Sequence, residues 1–173
     1  MTVLVAYATK HGSTEQIAAT IGRELRLRGL EADVLSVEEI EDVARYHAIV
    51  LGSAVYVGHW LSNARTFVKQ HADELADRPT WLFSSGPVGH PLRPTDEDAV
   101  QIREILEATQ PRAHRVFPGK LDKSQLNCCE WALVFALRVK EGDYRNEGEV
   151  SAWASEIAAS LERQPSSSPS SSA

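Results

Sequence analysis

Short apolar runs of strand length alternate along this chain with stretches of helical periodicity, and that alternation constrains the fold more than any other feature. The runs occupy residues 3–8, 33–37, 47–52, 80–84 and, more briefly, 114–117. Between them, Ile17, Ile21 and Leu25 recur one turn apart, with Gly29 placed to end that helix. Phe67, Val68, His71 and Leu75 mark a second helix. Thr95 with Asp98 offers a capping box for a third, running through Val100, Ile102, Ile105 and Leu106. Val150, Trp153, Ala154, Ile157, Ala158 and Leu161 trace a last apolar stripe. Parallel neighbours need a crossover, which is usually a helix, so the pattern predicts an α/β chain. Its five parallel strands would be covered on both faces as a three-layer sandwich. A length of 173 residues suits a single domain, expected over 1–163, and the Ser/Pro-rich end at 164–173 is expected to be disordered.

The formal charge of −6 and the lack of any basic run argue against nucleic acid as a partner. The first strand begins almost at Met1, which leaves no room for a presequence and predicts a cytoplasmic protein. The two cysteines, Cys128 and Cys129, are adjacent, a poor geometry for a disulfide, and are expected as buried thiols. The six histidines are dispersed, so no metal site is expected.

In open parallel sheets, ligands bind beyond the carboxyl ends of the strands, where the winding direction reverses. Three loops fall there. The first, Thr9, Lys10, His11, Gly12, Ser13 and Thr14, joins a strand directly to a helix. Unpaired N–H groups and the helix dipole favour an anion at that point; Thr9, Ser13 and Thr14 add hydroxyls, Gly12 admits close approach, and Lys10 can neutralise charge. The same loop also reads as an ordinary helix cap. Neither GxxxxGK[ST] nor GxGxxG is present, which disfavours a P-loop or a dinucleotide fold.

The second loop holds Ser53, Ala54, Val55, Tyr56, Val57, Gly58, His59 and Trp60. Its two aromatics would be explained by a flat ring stacked on Tyr56 or Trp60, with backbone around Val57 and Gly58 meeting the ring's polar edge. Alternatively, Trp60 roofs the core. The third loop, Ser85, Gly86, Pro87, Val88, Gly89, His90 and Pro91, is shaped to bring backbone close to a ligand. No side chain stands out as an acid or base; His59 and His90 either relay a proton or are simply solvated.

These residues resemble the flavodoxin family, whose first loop has a hydroxyl residue, two intervening positions and Gly-x-Thr, then an alanine and an aliphatic residue in the helix. Here the matching positions are Thr9, Gly12, Thr14, Ala18 and Ile21, after Tyr7 at the strand end, with His11 where the family usually has threonine. The resemblance implies strand order 2-1-3-4-5 and an FMN site, with phosphate on residues 9–14 and the isoalloxazine between the loops at 54–60 and 85–89. It also places Gly58 where a peptide can turn to meet a proton gained at the ring's N5.

Within the family the chain is similar to the long-chain, quinone-linked protoporphyrinogen oxidases. The shared features are Gly58-His59 followed by an aromatic, the run Val116-Phe117 with Gly119 and Leu121, an inserted helical segment, and Asp143 with Arg145 before the last helix. That implies an FMN-dependent oxidoreductase with a porphyrinogen substrate and a quinone acceptor. In the insertion, residues 126–139 are apolar except for Asn127, Glu130 and Arg138. At well under the roughly 20 residues that span a bilayer, the segment either packs beside the fifth strand or offers a face to a second subunit, a membrane surface or an apolar substrate.

Three functions remain open on the sequence: the quinone-linked oxidoreductase, an FMN electron carrier whose acidic surface docks a redox protein partner, and a scaffold that binds no flavin. A phosphoacceptor receiver is excluded, because its strand ends need an acidic cluster and these end in Tyr7, Thr9, Gly52 and Ser53.

Overall fold

The computed structural model describes residues 1–56, 58–86, 102–118, 120–121, 142–143 and 146–163. Its sheet is built from β1 (Thr2–Ala8), β2 (Glu31–Ser36), β3 (Ala48–Tyr56), β5 (Thr80–Gly86) and β6 (Ala113–Pro118), with the short β4 (His59–Trp60) between β3 and β5 in the chain. The parallel order is β2-β1-β3-β5-β6, and β4 pairs antiparallel with β3 alone. Counting only the parallel strands, this is the 2-1-3-4-5 order. A separate ribbon pairs β7 (Lys120–Leu121) with β8 (Gly142–Asp143).

Both faces of the sheet are covered, which is why its central strands β1, β3 and β5 read as nearly continuous apolar runs, whereas the edge strands β2 and β6 keep polar, partly exposed positions. Val3, Val5, Val50 and Phe83 face α1 (Ser13–Leu27) and α5 (Glu147–Glu162), packing against Ile17, Ile21, Leu25, Trp153 and Ile157. Leu4, Ala6, Ile49, Leu51 and Leu82 face the opposite layer, which holds α2 (Ser62–Gln70), α3 (Ala72–Ala76) and α4 (Arg103–Thr109). In the first layer Phe83, Phe117 and Trp153 form an edge-packed aromatic trio with centroids 5.5–6.3 Å apart.

The helix ends follow from local chemistry. Gly29 at φ 80° closes α1, as its position predicts: its N–H bonds Arg26 O and that of Leu30 bonds Leu25 O, the Schellman pattern. Asn146 caps α5, its Oδ1 accepting from the N–H groups of Gly148 and Glu149 while its Nδ2 donates to Glu149. The helix expected through Phe67 and Leu75 is two, because the backbone at His71 (φ −122°, ψ 25°) leaves the helical region between α2 and α3. The third expected helix is seen as α4; its proposed cap, Thr95 with Asp98, lies outside the described residues, as do Val100, Cys128, Cys129, Arg145, the segment 126–139 and the tail 164–173.

Candidate functional site

β1 and β3 lie side by side, while β2 and β5 continue the sheet in opposite directions from them, so the winding reverses between β1 and β3. The register sets Ala8 opposite Ser53, Ser53 opposite Ser84 and Ala54 opposite Ser85. The ends of β1, β3 and β5 are thereby aligned at one rim, and all three sequence-predicted loops leave from it.

In the first loop, Thr9, Lys10, His11 and Gly12 alone carry the chain from β1 into α1. Gly12 turns at φ 77°, and a Cβ there would meet nothing within 4 Å. The N-cap residue, Gly12, has no side chain with which to cap the helix, and the first turn directs the positive end of the dipole toward this loop. The Oγ1 atoms of Thr9 and Thr14 are both buried with no hydrogen-bond partner among the described residues. A buried hydroxyl without a partner costs about 1–3 kcal/mol, and two at one uncapped helix start mark a place where ligand oxygens would complete the bonding.

The second connection is tighter than the sequence predicts. β3 continues past Gly52 to Tyr56, and the chain then folds back so that Val55 faces Trp60 and Tyr56 faces His59, with Gly58 at φ 79° in the turn. The loop is thus a hairpin tip. Trp60, only 2% exposed, sits in the core with its indole Nε1 donating to Ser84 Oγ at 2.8 Å, the roofing role of its two readings. Val55 is buried too, Ala54 and Gly58 are half-buried, and His59 is exposed. Tyr56 remains as the half-buried aromatic at the rim. Its hydroxyl lies 3.1 Å from His11 Nε2, and Lys10 Nζ stands 4.7 Å from its ring centroid.

In the third loop, Ser85 is buried and Gly86 ends β5. A Cβ at Gly86 would come within 3.0 Å of Val55 Cβ and 3.2 Å of its carbonyl oxygen, so this glycine lets the strand ends lie together. Val57, Pro87, Val88, Gly89 and His90 lie outside the described residues. Beside the first loop, Tyr7 keeps its phenol proton more firmly than usual, chiefly through burial, aided by the nearby carboxylates of Glu15 and Glu39.

Sequence reasoning missed Ser84 and the bonding role of Ser53. Ser53 Oγ accepts from Leu61 N–H and donates to Ala54 O, while Ser84 ties Trp60 to His114. Buried serines at the ends of otherwise apolar strands were the available signal. A separate groove of about 250 Å³ between α2 and α4, lined by Arg65, Lys69, Ile105 and Ala108 among others, includes none of the three loops. No helix among the described residues is long and apolar enough to cross a membrane.

Residues 4–147 match the family model described as Flavodoxin domain. The chain belongs to the flavodoxin family. Among curated relatives, protoporphyrinogen IX dehydrogenase (quinone) of Escherichia coli K12 is 32% identical over 118 residues, 66% of this chain and 65% of that protein. The chain therefore spans just under two thirds of that relative's length. The protein of the same name from Leishmania major is 28% identical over 154 residues, 85% of this chain and 67% of its own. A solved archaeal flavodoxin superposes with a TM-score of 0.65 at 15% identity, covering 94% of this chain and all of its own, and establishes the shared fold. This flavodoxin domain thus sets its first loop, the hairpin after β3 and the end of β5 at the rim where the fold reverses its winding.

Proposed function

We propose that this flavodoxin domain binds FMN and works as a flavin oxidoreductase that delivers electrons from a porphyrinogen to a quinone. The observation that carries the cofactor reading is the pair of orphaned hydroxyls, Thr9 and Thr14, at the uncapped start of α1. Those two, with Ser13, Lys10 and the amides beside Gly12, would hold the phosphate monoester; Tyr56, Ala54, Gly58, Ser85 and Gly86 would border the ring. FMN, when bound, supplies one- and two-electron chemistry at a single centre.

The chain's own residues do the positioning. The network of Trp60, Ser84 and Ser53 fixes the base of the hairpin, while Gly58 at its tip keeps the backbone freedom to present either peptide face to a ring edge. The porphyrinogen and quinone reading is supported by the two relatives above, whose shared name specifies protoporphyrinogen dehydrogenation with quinone.

A second reading, an electron carrier without a substrate of its own, is favoured by the exposed carboxylates of Glu38, Glu39, Glu41 and Asp42, which follow the carboxyl end of β2. Such a patch would steer a basic redox protein.

The test begins with the visible spectrum of the purified chain titrated with FMN. A bound flavin band with an affinity well above that for riboflavin is expected; a protein that stays colourless overturns both readings. The loaded protein is then given protoporphyrinogen with menaquinone or ubiquinone. Quinone-dependent porphyrin formation supports the first reading, and its absence beside rapid one-electron exchange supports the second.

A further inference from the structure

The groove of about 250 Å³ between α2 and α4 has one strongly polar wall. Along α2, Ser62, Arg65, Thr66 and Lys69 recur at i, i+3, i+4 and i+7, the spacing that puts them on a single face, and all four line the groove. Val68 and Ile105 form its apolar floor. The helix contains no acidic residue, and among the described residues neither Arg65 nor Lys69 makes an ion pair or a side-chain hydrogen bond. In a chain of net charge −6, two exposed cations one turn apart thus stay uncompensated. Glu104 stands on the α4 wall, in the first turn of that helix, and pairs with neither.

The groove starts at the rim. Only Leu61 separates α2 from β4, the returning strand of the hairpin, so the helix runs away from the strand ends with Ser62 uppermost. At 1.5 Å of rise per residue, Arg65 lies about 4.5 Å and Lys69 about 10.5 Å along the axis from Ser62.

We propose that Arg65 and Lys69 hold the two carboxylates of the porphyrinogen and so make the protein specific for a carboxylated tetrapyrrole. This rests on the oxidoreductase reading above. Protoporphyrinogen carries its two propionate arms on adjacent pyrrole rings of an otherwise apolar macrocycle. Residues four apart on a helix set their Cβ atoms about 5–6 Å from each other, which lets two long basic side chains take one arm each. The guanidinium binds its carboxylate through two parallel hydrogen bonds, the ammonium as a point charge. A drug-sized ligand usually fills about 300–1,000 Å³, so this smaller groove takes the propionate edge and leaves the macrocycle toward the hairpin. Glu104 repels carboxylates from the α4 side, which confines them to the α2 wall.

The probe is protoporphyrin IX, the oxidised product with the same two propionates, titrated by its fluorescence into the FMN-loaded full chain. Its dimethyl ester, in the same detergent, is the uncharged control. Arg65→Gln and Lys69→Gln are each expected to weaken protoporphyrin binding by about 2–5-fold, the range of an exposed ion pair. Arg65→Glu combined with Lys69→Glu weakens it by about 10-fold or more, and Glu104→Gln tightens it by about 2-fold. The ester binds all of these proteins equally, and their FMN affinity is unchanged. In turnover the double variant raises the KM for protoporphyrinogen while kcat and the KM for quinone stay as in the wild type.

Equal protoporphyrin affinity in the wild type and the double variant, or an ester weakened as much as the acid, overturns the inference and leaves the oxidoreductase reading intact. A wild type that takes up FMN yet neither binds protoporphyrin nor oxidises protoporphyrinogen instead overturns the porphyrinogen reading, and the inference with it.

Discussion

The indole Nε1 of Trp60 donates to Ser84 Oγ at 2.8 Å, joining the returning strand of the hairpin to the neighbouring strand β5 deep in the core. Ser84 Oγ also lies 2.9 Å from His114 Nε2 on β6. One hydroxyl thus connects three strands beneath the rim. Ser84→Ala removes the acceptor and leaves a buried N–H with nothing to bond, at a cost of about 1–3 kcal/mol. Urea unfolding followed by Trp fluorescence is expected to show a lower midpoint at constant m-value, the product of the shift and m equalling that loss. A loss below about 0.5 kcal/mol would mean that the hairpin is held by packing alone.

Gly52 is fixed by a ring rather than by backbone strain. A Cβ at this position would lie 2.1–2.3 Å from three atoms of the Phe83 ring, and Phe83 is itself locked against Phe117 and Trp153. Gly52→Ala is expected to cost about 1–3 kcal/mol, the usual penalty of overpacking a filled core. Combining it with Phe83→Leu should recover part of that loss, because the two changes compete for the same space and are not additive. Strict additivity in the double-mutant cycle would show that the ring moves aside freely.

The five parallel strands were legible because residues such as Val3, Leu4 and Val5 are buried on both faces and so leave an unbroken apolar run. The end of β3 was not, because Ser53 and Ala54 look like loop residues; they belong to the strand through pairing with β1 and β5 across the sheet, and the Leu61 N–H that Ser53 Oγ accepts comes only with the finished hairpin. The break at His71 was hidden for the opposite reason. Phe67 and Leu75 keep one apolar face across it, and periodicity does not register a single backbone kink. At the site, the hydroxyls and Gly12 could be read as residue types, but their missing partners could not. The contact of His11 with Tyr56 spans 45 positions and is set by the neighbouring strands β1 and β3.

Tyr7 makes stability depend on alkaline pH. Burial, Glu15 and Glu39 raise its phenol above the usual 10.0, so the folded chain holds this proton more tightly than the unfolded one. The resulting stabilisation is complete below about pH 10 and is lost as pH rises through the higher folded-state value. Tyr46, raised mainly by burial and by Asp33, acts in the same direction and serves as an internal comparison. Tyr7→Phe should therefore show a shallower fall in urea midpoint above pH 10 than the wild type. Parallel curves for the two proteins would place the alkaline loss elsewhere.

Thr9 and Thr14 distinguish a hydroxyl retained for a ligand from one retained for folding. In the free protein neither Oγ1 has a hydrogen-bond partner among the described residues, and Thr14 is fully buried in the first turn of α1. Removing an unsatisfied buried hydroxyl relieves a desolvation penalty, and valine keeps the β-branched shape, so Thr14→Val is expected to leave stability without ligand unchanged or higher by about 1 kcal/mol. With ligand the sign reverses. A phosphate would take its hydrogen bond from this hydroxyl, and hydrogen bonds to charged groups are worth about 1.5–3 kcal/mol, so FMN affinity should fall by about 10-fold or more. Riboflavin, with no phosphate, should bind both proteins equally. Thermal melts without ligand, beside fluorescence titrations with the two flavins, give the three numbers needed. A valine variant that loses stability, or that weakens riboflavin and FMN alike, would make Thr14 a folding residue and move the phosphate away from the start of α1.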